Sequence, residues 1–278
     1  MDIPNNMKLQ KKLKELRNNR KAILATNFYN YETVKGILMA AKTAKQPLIL
    51  QLSKSSINYL GLPVAFKLAE SMLAFHEVEG WIHLDHGDSI ELIEKCLDAG
   101  FNSVMIDASE KPFEENVKIT RAVVRLAEKY GANVEAELGY VAKLGQSMET
   151  PGFTEPGEAK LFAEETGINA LAVAIGSAHG FYKKRPELDL ERLSEIRETT
   201  DVALVLHGGS GIPDVSLQEA IQSGICKINL ATEIKDVYMK TLKGLLADED
   251  EIDLRQVFPP ATKAVTELVK NKLCILTP

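Results

Sequence analysis

The chain has 278 residues, 45% of them hydrophobic and 26% charged, with a formal net charge of −6. Its length suits a single α/β barrel of about 250 residues, and its composition is that of a globular protein with a sizeable core. The acidic balance speaks against nucleic acid or an anionic membrane as partner. No apolar stretch approaches the roughly 18–20 residues of a membrane span, and three scattered cysteines, Cys96, Cys226 and Cys274, form neither a disulfide framework nor a zinc knuckle. A cytoplasmic protein is the resulting expectation.

The N-terminal segment is basic (Lys8, Lys11, Lys12, Lys14, Arg17) but lacks the apolar core of a signal peptide. Leu9, Leu13 and Leu16 mark it as a short amphipathic helix, its charges a solvated face. A module then recurs: apolar run, polar turn, amphipathic helix, glycine, next apolar run. Gly100, Gly131, Gly167 and Gly224 stand where a helix would end in a left-handed residue, marking helix-to-strand joints. Strands are expected near residues 22–27, 47–52, 81–85, 103–107, 133–138, 170–175, 203–207 and 226–229. Their continuous Val, Ile, Leu and Ala content is that of parallel strands covered on both faces.

Helices fit between these runs. Val34, Ile37, Leu38 and Ala41 share one face, as do Ile90, Ile93 and Leu97. Asp88 with Glu91 has the form of a capping box, and Thr154 followed by Pro156 suits another helix start. Beyond the last strand, one helix begins at Thr232 and another spans about 260–272, separated by an acidic turn at 248–251. Eight strands alternating with helices point to a (β/α)₈ barrel, a TIM barrel, with extra C-terminal helices; an open doubly wound sheet is the structural rival. No linker interrupts the chain, which reads as one domain over residues 1–278.

A barrel gathers the C-terminal ends of its strands at one face, where active sites form. The polar residues at those ends are Asn27, Ser53, Asp85 with His86, Asp107, Glu137, His179, His207 and Asn229. His86, His179 and His207 each follow an apolar run. Three imidazoles delivered this way are what an open metal site requires, with a free position left for substrate. Asp85 can orient a ligand or act as general acid/base. Asp107 and Glu137 can be further ligands or can orient the histidines; helix capping or a backbone bond is an equal alternative for Asp107 and suits Glu137 less. His83 reads as a packed strand residue and His76 has no motif around it. After His207 comes Gly-Gly-Ser-Gly, and after the last strand Asn229-Leu-Ala-Thr232 leads straight into a helix. Small residues at a helix N-terminus favour an anion, and phosphate sites after strands seven and eight are frequent in barrels. A metal beside a phosphate pocket suggests chemistry on a phosphorylated sugar or small ketone.

These residues resemble the class II, metal-dependent ketose-bisphosphate aldolases, in the branch holding tagatose- and some fructose-bisphosphate aldolases. The stretches that carry the resemblance are Leu84-Asp-His-Gly87, Met105-Ile-Asp-Ala-Ser-Glu110, Glu135-Ala-Glu-Leu-Gly139, Val173-Ala-Ile-Gly-Ser-Ala-His-Gly180, His207-Gly-Gly-Ser-Gly211 and Asn229-Leu-Ala-Thr232. The resemblance implies a cytoplasmic lyase of sugar metabolism, of the glycolytic type. It would cleave a ketose bisphosphate such as fructose or tagatose 1,6-bisphosphate to dihydroxyacetone phosphate and an aldehyde, and would assemble as a homodimer or homotetramer. It implies Zn2+ on His86, His179 and His207, with Asp85 handling the proton on the oxygen of the aldehyde half. Asp107 and Glu137 match a second or displaced metal position. Asn27, Ser53, Gly180, Lys183, Gly208, Gly209, Ser210, Asn229, Leu230, Ala231 and Thr232 match the substrate and phosphate contacts, with a monovalent cation near Gly180 and Gly208.

The segment 140–152 departs from the family pattern. It is shortened, and Glu149 is its only carboxylate, away from the position of the family's loop acid. Lys183, Lys184 and Arg185 are more cationic than the family's usual sequence. Three rivals to the zinc aldolase follow: the same lyase reaction on a modified, differently charged or unphosphorylated ketose; a Schiff-base mechanism through Lys227, which shares strand parity with Asn229; and a non-catalytic barrel that binds metal and sugar phosphate.

Overall fold

A computed structural model describes residues 8–139, 141, 152–182, 186–248 and 251–276. Eight parallel strands close into a barrel in sequence order: β1 (Ile23–Asn27), β2 (Leu48–Ser53), β3 (Gly80–Gly87), β4 (Ser103–Ile106), β5 (Asn133–Leu138), β6 (Ala170–Val173), β7 (Ala203–Leu206) and β8 (Ile225–Leu230). Closure comes from β8 pairing with β1, Ile23 beside Lys227 and Ala25 beside Asn229. That pairing excludes the open sheet. Nearly every strand residue is buried, because helices cover the outside and side chains fill the inside.

Helix α1 (Leu9–Asn19) precedes the barrel. Its leucines 9, 13 and 16 pack with Ile23, Ile49, Trp81, Ala170, Ala203 and Cys226 and so close the N-terminal end of the barrel. Each buried leucine contributes about 1.5–3 kcal/mol. Most of the charged residues are solvated; Lys12 and Arg17 are part-buried, and the Arg17 guanidinium donates to Arg197 O at 2.9 Å.

The crossovers follow as α2 (Tyr31–Ala44), α3 (Lys54–Leu60), α4 (Leu62–His76), α5 (Ile90–Ala99), α6 (Phe113–Glu128), α7 (Pro156–Thr166), α8 (Leu190–Thr199) and α9 (Asp214–Ser223), then α10 (Thr232–Asp248) and α11 (Leu254–Leu276). The β2–β3 crossover thus holds two helices. Helix α11 packs against α9, α2 and β1 and so completes the ring around the barrel, while α10 packs on α11 as the additional helix. The second tail helix begins earlier than the expected 260, running through Pro259 and Pro260. A proline there removes an N–H that would bond four residues back. The carbonyls so deprived belong to Arg255 and Gln256, both exposed and open to water.

Local signals otherwise resolve in detail. Gly100, Gly167 and Gly224 end α5, α7 and α9 with φ of 109°, 72° and 132°. The asparagines near two of these joints brace the sheet: Asn102 and Asn169 accept from Ile82 N at 3.0 Å and Val134 N at 2.8 Å. The α5 cap is Ser89, which accepts from Leu92 N, while Asp88 pairs with Lys54; the Asp88–Glu91 box does not form. Ile90 is 42% exposed, because it stands at the first turn of α5, whereas Ile93 and Leu97 are buried as expected. Thr154 caps no helix. Its hydroxyl donates to Leu138 O and accepts from Ala174 N, joining the ends of β5 and β6.

Helix α11 packs closely on α2 at Gly36, where a Cβ would stand 2.8 Å from Thr262 O and 3.0 Å from Val265 Cβ. In α10, Gly244 is exposed and a Cβ would meet nothing within 4 Å. Alanine is favoured over glycine inside a helix by about 1 kcal/mol, whereas overpacking costs about 1–3 kcal/mol. Gly244→Ala is therefore expected to raise the melting temperature and Gly36→Ala to lower it. A rise of similar size in both variants would contradict the close α2–α11 contact.

Candidate metal centre and active site

Strand alternation alone would send Asp85 and His86 to opposite sides of β3. The chain solves this with an irregularity. The β3–β4 register shifts between Leu84 and Gly87, and His86 takes the left-handed conformation at φ 50°. Such a bulge re-aims a side chain at a strand end, so both residues reach the mouth. His207 is the residue immediately after β7. His179 arrives differently, in the loop beyond Val173, the last residue of β6. Tyr182 ties that loop down: its hydroxyl accepts from Ala178 N at 2.7 Å and donates to Gly208 O at 2.9 Å. Gly208 is required there, with φ 67° and no room for a Cβ, which would lie 2.3 Å from Ala178 O.

The three rings converge. Centroids are 5.0 Å apart for His86–His179, 4.8 Å for His86–His207 and 5.7 Å for His179–His207. One donor atom from each lies within 4.8 Å of the others, and a second cluster among the described residues joins His86, Asp107 and Glu137 by the same measure. His207 Nδ1 and Glu137 Oε2 face each other at 3.3 Å, buried, and neither has a hydrogen-bond partner among the described residues. Two orphaned donor atoms beside a third and fourth imidazole-or-carboxylate donor fit a cation, since buried polar groups are otherwise satisfied.

The surrounding groups fix each ring. His86 Nδ1 lies 2.7 Å from Asp107 Oδ2, and Asp107 Oδ1 also accepts from the Ser109 hydroxyl at 2.7 Å. His207 Nε2 lies 2.9 Å from Glu135 Oε1. Asp85 accepts from the Asn27 amide at 2.9 Å and the Gln51 amide at 3.3 Å. Burial pushes the Asp85 carboxyl upward, but His86, His207, the Asn27 amide and Lys227 outweigh it and hold the group below the usual carboxylate range. Burial raises Glu137 to about 8, with Asp107 adding to the effect. Burial lowers His86, yet Asp85 and Asp107 prevail and bring it to about 9. His207, enclosed and beside His86 and Lys227, lies well below the ordinary imidazole value.

The profile of the class II fructose-bisphosphate aldolase family matches residues 7–277. The chain belongs to this family. The YdjI aldolase of Escherichia coli K12 is 34% identical, with 96% of each chain covered and a TM-score of 0.87. A candidate fructose-1,6-bisphosphate aldolase from Coccidioides immitis is 29% identical over 97% of this chain and 96% of its own, with a TM-score of 0.88. The fructose-bisphosphate aldolase of Campylobacter jejuni, 20% identical over 96% and 93% of the two chains, shares the fold at a TM-score of 0.81. Membership makes this barrel an aldolase, a carbon–carbon lyase, and the clustered His, Asp and Glu donors agree with a family that is typically metal-dependent.

Not every expected contact residue of this class II aldolase meets at one place. A cavity at the mouth is lined by Asn27, Asp85, His179, Gly180, Gly208, Ser210, Asn229, Ala231 and Thr232. Ser53 pairs in register with Asp85 and serves as the N-cap of α3, its hydroxyl within hydrogen-bond distance of those of Ser55 and Ser56. Leu230 turns its side chain into the outer core, and Gly209 N donates to Asn229 O at 3.0 Å. The Gly211 amide donates to Glu233 Oε1 at 2.6 Å, so part of the glycine-rich turn is bonded within the protein. Lys183 and Glu149 lie outside the described residues. Lys227 is enclosed in the barrel, its ammonium 2.7 Å from Glu135 Oε2, and it is not among the residues lining this cavity.

Sequence reasoning passed over Gln51, Tyr182 and the role of Glu135. Parity would have found two of them, since Gln51 shares a face with Ser53, and Glu135 with Glu137. Tyr182 carried no such signal.

In the metal-free protein, His86 is expected to titrate near pH 9 by NMR, and Asp107→Asn to move its midpoint down. Because that value lies above the free imidazole's 6.5, the charged form stabilises the fold fully below pH 6.5, and the contribution is lost as pH rises through about 9. A His86 midpoint at or below 6.5 in the unaltered protein would contradict the arrangement.

Proposed function

We propose that this aldolase is metal-dependent and reversibly cleaves a ketose phosphate, such as fructose or tagatose 1,6-bisphosphate, to dihydroxyacetone phosphate and an aldehyde. The observation that carries the reading is the convergence of His86, His179 and His207 within 4.8 Å, with Asp85 and His179 opening on one cavity. The three imidazoles would hold Zn2+, the metal that favours nitrogen ligands in a four-coordinate site with one open position. A cation so held acts as a Lewis acid for the negative charge left on the ketone side when the carbon–carbon bond breaks.

The chain's own residues divide the remaining work. Asp85, kept ionised by its surroundings, takes the proton from the hydroxyl on the carbon that becomes the aldehyde and returns it in the reverse direction. Asn27 and Gln51 hold that carboxylate through their amides. Gly180, Gly208, Ser210, Asn229, Ala231 and Thr232 surround the rest of the cavity beside the N-terminus of α10, which favours a phosphate. Asp107 positions His86 through its 2.7 Å contact and, with Glu137, offers a second position for the cation.

A second reading keeps the reaction and changes the sugar. The segment 140–152 carries one carboxylate, Glu149, and residues 183–185 bring three cations together; both favour a modified or differently charged aldehyde half.

Exhaustive chelation is expected to abolish cleavage and added zinc to restore it, with full activity after complete metal removal as the overturning result. Asp85→Asn should lower kcat by about 10²–10⁴-fold, the usual worth of one positioned acid/base group, while zinc remains bound. Product analysis on a panel of phosphorylated and unphosphorylated ketoses separates the two sugars' readings: ready turnover of both fructose and tagatose 1,6-bisphosphates would sink the second.

A further inference from the structure

The middle of the barrel holds a charged cluster that the reaction above does not use. Glu135 and Lys227 are 0% and 1% exposed, one from β5 and the other from β8. This layer is normally filled by bulky branched apolar side chains. Burying an ion pair adds little stability over apolar residues of like volume, so its presence asks for another reason.

We propose that Glu135 and Lys227 are a positioning pair that sets the tautomer of His207, and so decides which of its nitrogens presents a lone pair to the metal. The inference rests on His207 being a metal ligand. A neutral imidazole has one N–H and one acceptor nitrogen, a carboxylate only accepts, and an ammonium only donates. Glu135 Oε1, 2.9 Å from His207 Nε2, can be satisfied only if the proton sits on Nε2. The lone pair is then on Nδ1, the atom that faces Glu137 without a hydrogen-bond partner of its own. Lys227 occupies the other carboxylate oxygen at 2.7 Å. The remaining neighbour, His83, stands 4.0 Å from that oxygen, its Nδ1 2.7 Å from the Ser103 hydroxyl, which also accepts from the Asn133 amide at 3.1 Å.

Lys227 makes the arrangement directional, and Glu135→Gln exposes this. The lysine, a donor only, would claim the amide oxygen and leave the NH₂ group facing Nε2. His207 must then accept at Nε2 and carry its proton on Nδ1. Long-range ¹H–¹⁵N NMR of the metal-free variant is expected to show this switch. Zinc affinity, read by competition with a chromophoric chelator, should fall about 10–100-fold, the usual effect of losing a ligand's hydrogen-bond partner.

In Glu135→Gln/Lys227→Met the amide is free to turn, so the Nε2–H tautomer and most of the affinity should return. A merely structural pair would make the double variant worse than the single one. An unswitched tautomer in Glu135→Gln, or a double variant that binds zinc no more tightly than the single, overturns the proposal. Should the variants not fold, the unaltered metal-free protein decides: Nε2–H supports the pair and Nδ1–H refutes it. An unaltered protein that binds no zinc refutes the metal reading itself, whichever tautomer it shows.

Discussion

The pairing of β8 with β1 is the constraint on which the rest depends. Once the sheet closes, every strand runs the same way, and alternation divides each strand between an outer face under the helices and an inner face within the barrel. The inner face is graded along its axis. At the N-terminal end it is apolar and plugged by the α1 leucines; at mid-height it holds His83, Ser103, Asn133, Glu135 and Lys227; at the C-terminal end it holds Asp85, Glu137 and the histidines. The polar interior thus runs from mid-height to the mouth. The outer shell and the apolar end supply the burial that a charged column cannot.

The parts of this structure that repeat were legible in the sequence. All eight apolar runs became strands, Gly100, Gly167 and Gly224 ended helices, and of the polar residues after the runs Asn27, Asp85, His179 and Asn229 line one cavity. The less legible parts are those where tertiary geometry competes with a local pattern. Asp88 has the spacing for a capping box, but Lys54 from the neighbouring crossover engages it and Ser89 takes the cap. Pro260 reads as a helix start, yet α11 begins at Leu254 and runs across it. Ser53 keeps its strand position beside Asp85, and its hydroxyl also caps α3, a role the strand pattern does not announce.

The three histidines show the same limit within the site. Their position after apolar runs was visible, but the means of delivery were not. His207 simply follows its strand. His86 needs a bulge and a left-handed backbone, a conformation uncommon outside glycine, asparagine and aspartate although histidine is tolerated there. His179 needs a loop held by Tyr182 against Gly208. No periodicity encodes a bulge or a tyrosine bridge, because both depend on which loops become neighbours after closure.

The mouth itself has two halves with different chemistry. From β3 to β5 it offers carboxylates, Asp107 and Glu137, that bond or face the histidines. From β6 to β8 it offers small residues, and there the turn amides of Gly209 and Gly211 are already bonded to Asn229 O and Glu233. Those bonds tie the turn after β7 to the end of β8 and the start of α10. Asp85 stands where the halves join, fastened by Asn27 on one side and adjoining His86 on the other. In the proposed reaction this carboxylate would therefore lie between the half that would hold the metal and the half that would hold the phosphate.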